Sequence, residues 1–64
     1  MKLTDPYGNK LLKIGTNIIY DGKHGKVIGY DGINDGYAVS YAILADNMIL
    51  YVYYDEVEEE TKWN

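Results

Sequence analysis

The stretch Asn17-Ile18-Ile19-Tyr20-Asp21-Gly22-Lys23-His24-Gly25-Lys26-Val27-Ile28-Gly29-Tyr30 decides the fold of this 64-residue chain. Two segments rich in Ile, Val and Tyr, Asn17 to Tyr20 and Lys26 to Tyr30, flank an Asp21-Gly22 pair. Branched and aromatic side chains suit a pleated, half-buried surface, and Asp-Gly supplies the positive φ that a tight turn requires. The stretch reads as strand, turn, strand. Outward from it the same pattern continues. Asp31-Gly32 and Asp35-Gly36 offer further positive-φ pairs, and Asp46-Asn47 does so because both residues tolerate the left-handed region. Tyr37 to Leu44 and Met48 to Tyr53 fill the intervals, and no stretch keeps a helical period. The chain is predicted to be all-β.

Alternation along these segments predicts the buried face. Ile18 and Tyr20 share one face of the first strand, and Val27 and Gly29 one face of the second. In the third, Tyr37, Val39, Tyr41 and Ile43 oppose Ala38, Ser40, Ala42 and Leu44. In the fourth, Met48, Leu50 and Val52 oppose Ile49, Tyr51 and Tyr53. The predicted core is Ile18, Val27, Val39, Leu50 and Val52, which leaves Tyr51 and Tyr53 on the outer face. Both faces of the last two strands are apolar, which calls for a covering segment or a partner. Leu3 to Lys13 is the segment available for cover. Tyr20-Asp21-Gly22 recurs as Tyr30-Asp31-Gly32, which reads as two successive hairpin corners rather than a repeat architecture.

Composition narrows the classes. Hydrophobic residues make up 47% and charged residues 25%, which is globular rather than disordered. A chain of this size buries only about 60% of the surface it exposes when unfolded, so each apolar residue is needed for the core. No apolar run has the length of a membrane span, and Met1 to Pro6 does not read as a secretory signal. With no cysteine, the expectation is a soluble cytoplasmic protein. The net charge of −4 is unevenly spread: +3 up to Lys26 and −7 from Val27 onward. Nucleic-acid binders carry the opposite surplus, so a basic partner is favoured over direct binding to nucleic acid.

Residues for chemistry are few. Ser40 is the single serine and His24 the single histidine. His24 reads as a turn residue and Ser40 as a mid-strand residue, and no nucleophile elbow surrounds the serine. Glu56, Glu58, Glu59 and Glu60 are too close in sequence to face one another across a glycosidase cleft. Asp31-Gly32-Ile33-Asn34-Asp35-Gly36 has part of a calcium-loop pattern, but Ile33 and Ala42 stand where oxygen ligands belong. Zinc has no cysteine to bind, and Gly22 to Val27 lacks the Walker spacing. The chain is expected to be no enzyme and to hold neither metal nor cofactor.

Gly15 to Tyr30 resembles the opening hairpin of a KOW-type, SH3-like barrel: a glycine, an apolar strand, a polar turn, then Gly-x-Val as Gly25-Lys26-Val27. The resemblance implies a small SH3-like barrel of four to five antiparallel strands. It divides the chain into a covering or free segment 1–13, a barrel 14–57 and an acidic tail 58–64. Asp55-Glu56-Val57 sits where such barrels carry a short helical turn and an apolar plug. It also implies an RNA- or ribosome-associated module, with Lys13, Lys23 and Lys26 around the Gly25 turn and tyrosines stacking on bases. The acidic end and the absence of arginine depart from that group. In composition the chain also resembles the small inhibitors that bacteriophages encode against host proteins.

Two features stand above background: eight tyrosines, and the acids that follow the last strand. Tyrosine joins apolar area to a hydroxyl, which suits contact surfaces. The candidate partner-binding residues are Tyr51, Tyr53, Tyr54, Asp55, Glu56, Glu58, Glu59, Glu60 and Trp63. The leading expectation is a regulator or inhibitor that docks on a basic, DNA-binding host protein, its acids mimicking a row of phosphates. A third reading is a structural protein, a homodimer in its simplest form, that self-associates through Tyr37 to Leu44 and Met48 to Tyr53.

Overall fold

The backbone enters the left-handed region at most of the places where the sequence sets its turns. A computed structural model describes residues 3–60. Five strands follow one another: β1 (Asn17–Tyr20), β2 (Lys23–Asp31), β3 (Ser40–Ala45), β4 (Met48–Tyr53) and β5 (Glu58–Glu59). Asp21 and Asp46-Asn47 close the β1–β2 and β3–β4 hairpins with φ of 52° at Asp21 and 52° and 59° at the second pair. Asp35-Gly36 makes a third such turn, with Asn34 and Tyr37 exchanging backbone hydrogen bonds of 2.8 and 2.9 Å across it.

All neighbouring strands pair antiparallel, in the order β4-β3-β2-β1-β5. The all-β expectation and the strand number are met. By its ladders the sheet is open, with β4 at one edge and β5 at the other. No described helix is long and apolar enough to cross a membrane.

The core lies on one face. Ile18, Val27, Tyr41, Ile43, Ala45 and Val52 are buried together, and Leu11, Leu12, Tyr20, Tyr30, Leu50, Tyr54 and Val57 pack around them. Ile18, Val27 and Val52 are therefore buried as expected, whereas Leu50 and Val39 are half-buried. Tyr41 and Ile43 take the central places, because β3 has β2 on one side and β4 on the other.

The N-terminal segment covers this core through Leu12. Its N–H donates to the Tyr41 hydroxyl at 2.9 Å, and its carbonyl accepts from the Tyr30 hydroxyl at 2.6 Å. Thr4 bridges Tyr37 in parallel, and the Asp5 carboxylate accepts from the N–H groups of Tyr7 and Asn9.

Several expectations are corrected. The third strand begins at Ser40, because Tyr37 is held by the Asn34 hairpin and by Thr4 instead. Val27 and Gly29 do not share a face: a bulge between them opposes Val27 to Ile43 and Gly29 to Ala42, so Tyr30 joins Val27 on the core side. Asp31-Gly32 is no positive-φ pair, since Asp31 ends β2 opposite Ser40 and Gly32 alone turns with φ of 66°. A Cβ at Gly32 would also collide with the Val39 side chain. Gly25 lies within β2, not at a turn. Residues 54–56 form a turn rather than a helical segment, while Val57 packs on the core. Glu58 and Glu59, read as the start of a tail, form β5 against Ile19 and Ile18.

Candidate functional site

Cross-strand register fixes what the outer face presents. In the β3–β4 ladder Ser40 faces Tyr53, Ala42 faces Tyr51 and Leu44 faces Ile49, and these three pairs alternate with the core-facing pairs. In β2, Asp31 lies opposite Ser40, Gly29 opposite Ala42 and Lys26 opposite Leu44. The outer face thus has a floor of Ala42 and Gly29. Exposed Leu44, Ile49, Tyr51 and Tyr53 stand around it, and Ile28 is exposed at the bulge beside it. Tyr51 and Tyr53 are 67% and 62% exposed, more than is usual for side chains of their area. Nothing described covers them.

One end of this face is acidic. The turn after β4 folds Glu56 back so that its Oε1 accepts the Tyr53 N–H at 3.2 Å, while the Glu56 N–H donates to the Tyr53 carbonyl at 3.0 Å. Ser40, Tyr51, Tyr53 and Glu56 line one open depression. Asp31 shares the Ser40–Tyr53 row, and Asp55 is exposed in the turn. Aromatic area beside polar and charged side chains also occurs in protein contacts.

The structure divides the nine residues that the sequence singles out. Tyr51, Tyr53 and Glu56 come together, with Asp55 in the same turn. Tyr54 points the other way: it packs against the core, with its ring centroid 6.2 Å from that of Tyr7. Glu58 and Glu59 lie in β5, at the far edge of the sheet. Glu60 is half-buried, with Oε1 3.0 Å from His24 Nδ1. Trp63 lies outside the described residues.

Adjacent residues of a strand point to opposite faces, so Glu58 and Glu59 do not make one row of charge. The same geometry separates the lysines. Lys23 and Lys26 are three apart in β2, before its bulge, and therefore lie on opposite faces. Lys23 Nζ is 3.9 Å from Asp46 Oδ2. No three of His, Asp and Glu converge as metal ligands among the described residues.

Asp31 belongs to the face as well, and so do Ser40, Leu44 and Ile49, which the sequence places only within the two segments of the self-association reading. The alternation of Met48 to Tyr53 already groups Ile49 with Tyr51 and Tyr53, and that was the signal available for it. Asp31 joins through the bulge, which leaves no mark in the sequence. No family model matches the chain, and no match appears among the curated proteins or the solved structures.

Proposed function

We propose that the chain is a non-enzymatic protein-binding module that docks through the outer face of β2–β4 on a basic partner. The observation that carries this reading is the pair Tyr51 and Tyr53, both mostly exposed, beside Ala42 and at the acidic end formed by Asp31, Asp55 and Glu56. Aromatic side chains on a rigid strand lose little entropy on binding, and a rim of one charge speeds encounter with the opposite charge. The reading rests on rim charge rather than on mimicry of phosphates, because the five acids of residues 55–60 are spread over a turn and both sides of β5.

The test is capture of partners from a lysate after nuclease digestion, followed by affinity measurement with the purified partner. A basic protein should be retained, and its affinity should fall as salt rises. Tyr51→Ala with Tyr53→Ala should weaken binding by about tenfold or more, the loss typical of central aromatic anchors. Glu58→Gln with Glu59→Gln should change it little. Material that disappears with nuclease would overturn the proposal in favour of an RNA-associated module.

A further inference from the structure

The two edges of the sheet are guarded unequally. Edge strands are kept from pairing with other chains by short length, charge, proline or a bulge. β5 is two residues long and both are glutamates. β4 runs for six residues, Met48-Ile49-Leu50-Tyr51-Val52-Tyr53, without a charge or a proline. The bulge of the sheet lies in β2 instead. Met48, Ile49, Tyr51 and Tyr53 are all exposed, and β3 is the one described strand that pairs with β4.

The hydrogen-bond phase of β4 follows from its end. The Tyr54 N–H donates to the Val39 carbonyl at 3.0 Å, so in this register 41/52, 43/50 and 45/48 are the bonded pairs. The N–H and C=O groups of Ile49, Tyr51 and Tyr53 therefore face away from β3. At Tyr53 both are taken by Glu56. Ile49 and Tyr51 remain, two residues apart, with Leu50 between them.

We propose that β4 pairs antiparallel with β4 of a second copy of this chain, on a two-fold axis through Leu50. In that register Ile49 of each copy opposes Tyr51 of the other, and the free groups of these four residues form four hydrogen bonds. Leu50 meets Leu50, and Met48 meets Val52. Each rung is apolar, and the Ile–Tyr pairs combine a β-branched with an aromatic side chain, a favourable cross-strand combination.

The symmetry of the free groups about Leu50 selects a copy as the occupant, because the edge is complementary to itself. Two chains of net charge −4 repel, yet from Met48 to Val52 this register sets no charge opposite another. Pairing through β5 would set Glu58 and Glu59 against their own kind. The free edge is also no longer than the pairing needs, because the Asp46-Asn47 turn closes one end and Glu56 the other. The dimer joins the two outer faces through Ile49 and Tyr51. It is measured on the pure chain, independently of any basic partner.

Sedimentation equilibrium of the full chain over a wide concentration range tests the proposal, together with residue-resolved amide exchange. The mass should approach twice the 7.3 kDa of one chain as concentration rises. Exchange of the Ile49 and Tyr51 amides should slow in parallel, while that of Glu59, which faces outward from β5, stays unchanged. Tyr51→Lys should return the mass to one chain with the circular dichroism of the sheet retained. A chain that remains at single mass throughout would overturn the proposal. So would a dimer whose Ile49 and Tyr51 amides exchange as in the monomer. The exchange measurement uses the unaltered sequence and decides the matter even if the lysine variant does not fold.

Discussion

At Gly25 the space where a side chain would begin is already taken. A Cβ built there would stand 2.7 Å from the Leu44 carbonyl oxygen and 3.1 Å from the Ala45 Cβ. Backbone oxygen cannot step aside as a flexible side chain can, so β2 and β3 would have to separate at the rung beside fully buried Val27. Gly25→Ala should therefore destabilise the fold by about 1–3 kcal/mol, the usual cost of overpacking. Urea denaturation of the two chains checks it. Gly25-Lys26-Val27 marked a special glycine in the sequence, and the valine behind it is buried as read. The reason for the glycine was not legible: it serves the close approach of a strand that is distant in sequence, not a turn.

At the level of elements, β5 is the part that sequence reading missed. Two glutamates beside a third look like solvated chain, and with one residue pointing each way they carry no apolar alternation. Their place in the sheet comes from β1, whose outer edge offers partners on the side away from β2. The Glu60 N–H donates to the Asn17 carbonyl at 2.9 Å, which puts the next bonded pair at Ile19 and Glu58 and turns the Glu59 N–H to solvent. Glu58→Pro should therefore lose a ladder bond and about 1 kcal/mol. Glu59→Pro should cost less, because its N–H faces away from β1. A melting comparison of the two proline variants checks the phase of the strand, and equal losses would show the phase to be wrong. The bulge at Ile28 is the other feature of this kind, since it changes which face Tyr30, Asp31 and Gly29 occupy without altering any residue type that a pattern could detect.

For the whole molecule, the decisive contact is the Leu12 peptide held between the hydroxyls of Tyr30 and Tyr41. It fastens the N-terminal segment to the end of β2 and the start of β3. Burial pushes the Tyr41 phenol above its ordinary value, with the Leu12 N–H opposing that shift. The folded state therefore keeps a proton that the unfolded chain releases near pH 10. The contribution of the neutral phenol to stability is full below that pH and is lost as pH rises through the raised folded value. Thermal unfolding followed across the alkaline range should show a steeper loss of stability for the native sequence than for Tyr41→Phe. At neutral pH the phenylalanine variant should be less stable by about 1 kcal/mol, because the Leu12 N–H loses its acceptor. The class of fold, the turns at Asp21-Gly22 and Asp46-Asn47 and the outward placement of Tyr51 and Tyr53 were legible in the sequence. Those follow from turn chemistry and alternation, which act between residues near one another in the chain. Tertiary structure alone decided that Glu58 and Glu59 leave the aromatic face for the opposite edge and that β4 is the open edge. Each of these depends on which strands become neighbours, and that is settled by burying one shared core rather than by any local pattern.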